Sequence, residues 1–481
     1  MSVGERSIRA VPARSSVPTR SGKLKETRGD VDACPGALRL HSAADGPLAR
    51  VRLPGGLVTG ERLAVLAELC AEFGDGHLEL TSRANIQLRA LRSADPAVLA
   101  ARLSAAGLLP SETHETVRNV VAPPLADSTL RTLVEQLDVA LCADPALAAL
   151  PGRFLFAIGE VPLAADLAAV PAGDAFTILF AGRDLGVRVP VDQVVPALLA
   201  GANAFLTERA ATPVGAPAWR LHELPDGPAR VAETVAAALE LPRPRTEAEP
   251  PSALPLPVAD SDAALAGALP VTDTNPAAPA GALPVTDSNP RALAGALPVT
   301  DSNPGTLAGA LPVTDSNTAA LVGVLPQADG LVAVGALVPL GRLGGAALRL
   351  LTTARRLVVT TARGVIVPDL TPEAARRWAR ALAEAGLPVE GTSRWVGVTA
   401  CAGRPGCAKS LADVRADADR TSVYSDGLPV HWVGCARGCG SPSGPHVRVE
   451  ATPAGYAVTR QPGGETYTGD PAHAVAAARR N

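Results

Sequence analysis

Lysine is almost missing from this chain. It occurs only at Lys23, Lys25 and Lys409, so 41 of the 44 basic residues are arginine. A GC-rich genome produces such a bias without any function, yet it leaves a site that needs a titratable ammonium little to draw on. Aromatic residues are scarce at 3% against 47% hydrophobic residues overall, so cores must be built from Ala, Leu and Val. No segment approaches the roughly 18 uninterrupted apolar residues of a membrane-crossing helix. The net charge of −3 gives no reason to expect nucleic acid or an anionic membrane as a partner. Residues 1–30 hold seven Arg or Lys but no apolar stretch, and so read as a disordered basic tail rather than a secretory signal. No G-x-G-x-x-G follows a convincing strand, which argues against an internal dinucleotide site. A length of 481 residues exceeds one ordinary core and predicts several domains.

Four of the seven cysteines are concentrated near the C-terminus, as Cys401-x5-Cys407 and Cys435-x3-Cys439, both set in glycine. Clustered thiolates suit a soft metal centre. Zinc knuckles usually bring two thiolates together across about two to four residues. The five-residue gap favours a larger object, an iron–sulfur cube. Zinc, disulfides and plain core thiols are the alternatives. An odd cysteine count in a large chain fits a reducing cytoplasm. Cys70 and Cys142 fall on apolar helical stretches and read as core thiols, while Cys34, before Pro35-Gly36, has no evident role.

Two repeats organise the chain. From Ala268 a 14-residue unit, ALPVTDTNPAAPAG and its near copies, recurs with turn formers and few large apolar residues. It marks 241–327 as a flexible Pro/Ala-rich linker. A fainter repeat relates 48–92 to 331–370: strand, Gly/Pro turn, helix, turn, and a strand carrying T-x-R at Thr81–Arg83 and Thr361–Arg363. In the first copy apolar residues at 63, 66, 69 and 70 share a helix face. A further helix starts in each copy at an N-cap before proline, Asp95-Pro96 or Thr371-Pro372. An internal duplication around a shared cofactor is the simplest architecture.

At these cysteines the chain resembles the sirohaem-dependent nitrite and sulfite reductase family. That resemblance implies an α+β fold of two pseudo-symmetric halves, each with a ferredoxin-like half-domain and an α/β cofactor domain. The implied order is 31–110 and 111–240 for the first half, then 328–390 and 391–481 for the second. It also implies a [4Fe-4S] cluster on Cys401, Cys407, Cys435 and Cys439. Arg52 in RLPGG, Arg83 in T-S-R-A-N-I-Q and Arg118 in V-R-N match positions that face tetrapyrrole carboxylates and the substrate anion, and Gln87 and Asn119 can donate hydrogen bonds beside them. Guanidinium is the natural bidentate partner for carboxylate, whatever the family.

One segment departs from the reductases. Their two lysines, in a stretch resembling L-P-R-K-F-K, are replaced here in L-P-G-R-F-L (150–155), with Arg153 and Leu155 at the lysine positions. Arginine is a poor proton donor and leucine is none, which argues against six-electron reduction of nitrite or sulfite. C-P-G-A-L-R-L-H (34–41) and G-D-G-H-L-E-L-T-S-R-A-N-I-Q-L-R (74–89) look like the precorrin-3B synthase branch. That branch implies O2-dependent hydroxylation of precorrin-3A at C20 with γ-lactone closure, in aerobic cobalamin biosynthesis. Arg52, Arg83, Gln87, Arg118, Asn119 and Arg153 would then hold the substrate's carboxylates. NADH would be the ultimate electron donor, acting through a separate reductase or ferredoxin. A second iron is implied, non-haem in this branch and sirohaem in the reductase alternative. His41, His77, His431 and His446 are its possible ligands.

Overall fold

The computed structural model describes residues 34–211, 218–244, 321–327, 330–442, 444–467 and 469–480. The basic tail and nearly all of the 14-residue repeats lie outside the described residues. In the first half, β1 (Ala49–Val51), β2 (Leu57–Val58), α1 (Gly60–Phe73), β3 (His77–Leu80), β4 (Ile86–Leu88) and α2 (Pro96–Ala105) come first. An α/β segment follows: β5 (Val120–Val121), α3 (Ser128–Ala143), β6 (Phe156–Ile158), β7 (Leu167–Ala172), β8 (Ala175–Phe180), β9 (Arg183–Val189), α4 (Val194–Ala210) and α5 (Gly227–Ala238). The second half begins with β10 (Gly323–Pro326), β11 (Val332–Leu337), β12 (Arg342–Gly344), α6 (Gly345–Leu351), β13 (Leu357–Val359), β14 (Gly364–Leu370) and α7 (Pro372–Glu384). It ends with β15 (Val398–Ala400), the single turn α8 (Gly403–Gly406), α9 (Val414–Thr421), β16 (Val430–Val433), β17 (His446–Thr452), β18 (Gly455–Gln461), β19 (Thr466–Tyr467) and α10 (Pro471–Arg479).

The helices start where the caps are. Thr59 Oγ1 accepts from Arg62 N, Asp95 from Ala97 N, and Thr371 from Ala374 N, each satisfying a first-turn donor. The expected face of α1, Leu63, Leu66, Leu69 and Cys70, is buried.

The two copies complete each other's sheets. β1, β4 and β3 form an antiparallel sheet whose fourth strand is β12, with Leu78 opposite Leu343. β11, β14 and β13 form the matching sheet, extended by β2, with Val58 opposite Leu357. Leu66 and Leu69 of α1 share one core with Leu343, Leu348 and Leu351 of the second copy. The two α/β sheets repeat one topology strand for strand. Orders β5-β6-β7-β8-β9 and β15-β16-β17-β18-β19 both run parallel for two pairings and antiparallel for two.

The T-x-R triplets lie not in strands but in the turns between β3 and β4 and between β13 and β14, and they are offset by one residue. Thr81 N donates to Asn85 O in the first turn, and Thr360 N to Gly364 O in the second. Leu80 faces Ile86 as Val359 faces Val365. Thr81 therefore corresponds to Thr360, and Arg363 stands where the first copy has Ala84. Both take the left-handed conformation, at φ +61° and +55°. Cys142 also differs from expectation, being half-buried at the end of α3.

No helix among the described residues is long and apolar enough to cross a membrane.

Two predictions follow from this packing. Gly56, at φ +73°, leads into the exchanged strand β2, and a Cβ there would meet Val359 O at 2.1 Å. Gly76, at φ +76°, has nothing within 4 Å. In urea unfolding, Gly56→Ala should cost well over ~2 kcal/mol and Gly76→Ala only ~1 kcal/mol. Burial, and then Asp75, push the Cys70 thiol from about 9 up to about 11. Its contribution to stability is complete below pH 9 and is lost as pH rises through 11. Cys70→Ala should flatten that alkaline loss in chemical denaturation.

Candidate functional site

The cysteine loops grow from adjacent parallel strands. β15 and β16 pair with Ala400 opposite Trp432, so Cys401 leaves the end of one strand beside the chain that reaches Cys435 from the other. Cys401 N donates to Trp432 O, and Gly434 N donates to Cys401 Sγ at 3.2 Å. Leu411 N donates to Gly434 O, tying together the loops that carry Cys407 and Cys435. Gly434 must be glycine, because a Cβ would lie 1.9 Å from Ser410 Oγ. His431, fully buried on β16, meets Thr399 Oγ1 through Nδ1 and the Cys439 carbonyl through Nε2 at 3.0 Å. Burial, and then Arg363, push this imidazole down to about 3, so it is neutral.

The four thiols lie within electrostatic reach of one another. Burial, then Cys401 and Cys435, with Cys407 adding, push the Cys439 thiol up against the pull of Arg437. Among the described residues, no three His, Cys, Asp or Glu side chains close on a single metal ion. Mutual repulsion between soft thiolates is what a cationic metal–sulfide centre relieves, and the donor set fits such a group.

The first half holds these loops in place. Arg89 makes a bidentate pair with Asp45 at 3.0 Å and donates to Gly406 O at 2.9 Å. Arg415 pairs with Glu79 of β3 at 2.6 Å and donates to Cys401 O at 3.1 Å. Glu79 also lies 3.7 Å from Arg89.

A second group of cations gathers around Cys34. Arg52 is 2% exposed. Its Nη2 donates to Thr116 O, while Nε and Nη1 are buried with no partner. Burial, and then Arg50, push it down to about 9, and burial, and then Arg220, push Arg83 down to about 10. Cys34 acts on both arginines. It packs against Gly152, where a Cβ would meet the Cys34 Cβ at 2.8 Å. Glu115 fixes the adjoining segment by accepting from Ala37 N and Leu38 N at 2.6 and 2.9 Å. Arg52 is buried and Arg83 half-buried, and an anion beside them would relieve the desolvation of both.

The other expected site residues have structural partners. Arg118 forms a bidentate pair with Asp138 at 2.6 and 2.7 Å. Asn119 Nδ2 donates to Thr116 O and Gly152 O. Gln87 Oε1 accepts from Arg50 at 2.7 Å. The Arg153 guanidinium lies over the Trp219 ring, 4.6 Å from its centroid. The histidines do not assemble. His41 and His77 lie on the first copy, with His41 exposed and His77 against Asp75. His431 and His446 are buried on β16 and β17. Arg50, Arg220, Cys34 and Arg363 were not expected at a site. The clearest signal for Arg363 is its place in the repeat.

Comparisons with known proteins bear on the fold. Residues 42–106 match the nitrite/sulfite reductase ferredoxin-like half domain. The Mycobacterium tuberculosis NirA protein superposes with a TM-score of 0.59 at 17% identity, covering 88% of this chain and 77% of that one. The chain has the nitrite/sulfite reductase-like fold. A ferredoxin–nitrite reductase from Leptolyngbya laminosa is 34% identical over 88 residues, 18% of this chain. One from Synechococcus elongatus is 30% identical over 123 residues, 23% of this chain. The matches span only 17% and 24% of the lengths of these two relatives.

Removing Glu79 would strand Arg415 and weaken the setting of Arg89. Glu79→Ala is expected to lower unfolding stability by about 3–5 kcal/mol in denaturant titration. Glu61→Ala, in the exposed first turn of α1, should fall within about 0.5 kcal/mol of the parent.

Proposed function

We propose that the chain is a cluster-containing oxidoreductase acting on a polycarboxylate tetrapyrrole, and specifically a precorrin-3B synthase. Segment 150–155 carries this reading. Leu155 is 2% exposed, with its N–H held by Asp166, and Arg153 is stacked on Trp219. Neither position offers the titratable ammonium with which a reductase would protonate a bound inorganic anion. Arg52, buried, and Arg83, half-buried, are instead cations suited to acetate and propionate groups.

Cys401, Cys407, Cys435 and Cys439 would hold a [4Fe-4S] cluster, which when bound supplies electrons one at a time. The chain's own residues do the rest. Arg52 and Arg83 bind and orient carboxylates, and Gln87 holds Arg50 beside them. Asn119 acts from behind, keeping the Thr116 and Gly152 backbone in place, while Arg118 is held by Asp138 and donates to Leu108 O. The hydroxylation at C20 also needs an O2-activating iron. The four candidate histidines do not form such a site among the described residues, and no step is assigned to one. NADH, through a separate reductase or ferredoxin, is the proposed source of electrons.

The two cyanobacterial relatives favour a second reading, a sirohaem-dependent ferredoxin–nitrite reductase. Anaerobically purified protein should convert precorrin-3A, with isotopically labelled O2 and a reductant, to a product carrying one labelled oxygen. It should show no sirohaem bands. Sirohaem bands together with nitrite consumption under reduced ferredoxin would replace this reading with the second. Arg52→Gln should weaken tetrapyrrole binding about tenfold or more in a fluorescence titration. Arg118→Gln should lower thermal stability and change affinity far less.

A further inference from the structure

Arg363, half-buried, differs from the other arginines near the cysteine loops. Arg89 has Asp45, and Arg415 has Glu79. Arg363 has no carboxylate within ion-pair distance among the described residues. Its Nη2 donates to Gly440 O at 3.3 Å, next to Cys439. Its Nη1 is closed off from solvent and has no hydrogen-bond partner. The residues acting on it electrostatically are Arg415, Glu79 and Cys401. Glu79 is already held by Arg415. Arg363 therefore carries a positive charge with no carboxylate paired to it among the described residues, and its Nη2 reaches the loop that carries Cys439. The surroundings are cut to fit it. Gly440 is at φ +82°, and a Cβ there would lie 2.9 Å from Arg363 Nη2. Gly341 is at φ +71°, and a Cβ there would lie 3.0 Å from Arg363 Cδ. Arg363 itself sits at φ +61°, a conformation that a side chain of this size rarely adopts.

We propose that Arg363 is a positioning residue for the iron–sulfur cluster, holding the Cys439 loop through Gly440 O and setting the cluster's reduction potential with its half-buried charge and its buried, unpartnered Nη1 donor. This rests on the reading that the four cysteines hold a cluster. A cube bound by four thiolates is anionic and gains one further negative charge on one-electron reduction. A fixed, poorly solvated cation favours the reduced form. His431 works with it from the other side. Its Nε2 lies 3.0 Å from the Cys439 carbonyl and holds the same loop.

The test is an EPR-monitored redox titration of full-length protein, after iron and sulfide analysis. Arg363→Gln should lower the reduction equilibrium constant about tenfold, a fall of about 59 mV for one electron. Arg363→Lys, which keeps the charge, should shift it much less. Arg437→Gln, removing an exposed and solvent-screened charge near Cys439, should also shift it little. An unchanged potential in cluster-loaded Arg363→Gln would overturn the inference and leave the cluster reading intact. An equal shift in Arg437→Gln would overturn it too, because net charge alone would then explain the effect. If Arg363→Gln loses its iron, Arg363→Lys decides. Iron retained at a near-parental potential supports the role of charge, and iron lost there as well reduces Arg363 to a folding residue. Parent protein without iron or sulfide would overturn both the inference and the cluster reading.

Discussion

Neither ferredoxin-like copy can finish its own sheet. β3 needs β12 from the second copy as its neighbour, and β13 needs β2 from the first. This reciprocal exchange makes the duplicated halves a single packing unit, with leucines of both copies in one core. It also determines where charges can meet. Glu79 on β3 lies opposite Arg342 of β12, at the seam. From there Glu79 and Arg89 reach Arg415 and Gly406 on the cysteine loops. Without the exchange, first-half carboxylates would have no route to second-half cysteines.

Buried charge then separates scaffold from site. Arg118, Arg89 and Arg220 each have a carboxylate, Asp138, Asp45 and Asp166. Asp166, fully buried, also accepts from Leu155 N and Leu221 N. Such closed pairs hold loops in one geometry, and breaking one leaves an uncompensated charge. Arg52 and Arg363 are different. Each keeps a buried guanidinium nitrogen without a partner. Native proteins seldom leave such donors unsatisfied, so these two point to groups that arrive later. One lies near Cys34, the other by the loop that carries Cys439.

Much of this was legible in the residues. Polar caps and an apolar face announced the helices, because both follow from local hydrogen bonding and the helical period. The cysteine spacing singled out the loops that leave the adjacent strands β15 and β16. What escaped depends on contacts across long sequence separations. The T-x-R triplets align perfectly as text, yet backbone pairing offsets them by one, because Thr360 rather than Thr361 closes its turn. Arg118 reads like a ligand-binding arginine until Asp138, twenty residues on, is seen to take its fork. Cys34 looked idle. Its meaning lies in Gly152, Arg52 and Arg83, which sequence distance hides.

The scarcity of lysine takes on a physical meaning in this setting. A buried ammonium sheds its proton readily, whereas a guanidinium keeps its charge. A site that must hold several carboxylates and leave a fixed positive charge near an anionic centre is better served by groups that stay charged at neutral pH even when burial pulls them down, as Arg52 and Arg83 are. A site that must feed protons to a small inorganic anion is not. Arg52, Arg83 and Arg363 are suited to the first task, and Leu155 and the stacked Arg153 leave the second without a donor. Lys409, exposed on the loop after Cys407, is the one lysine close in sequence to the thiols. The choice of cation thus favours holding charge over delivering protons.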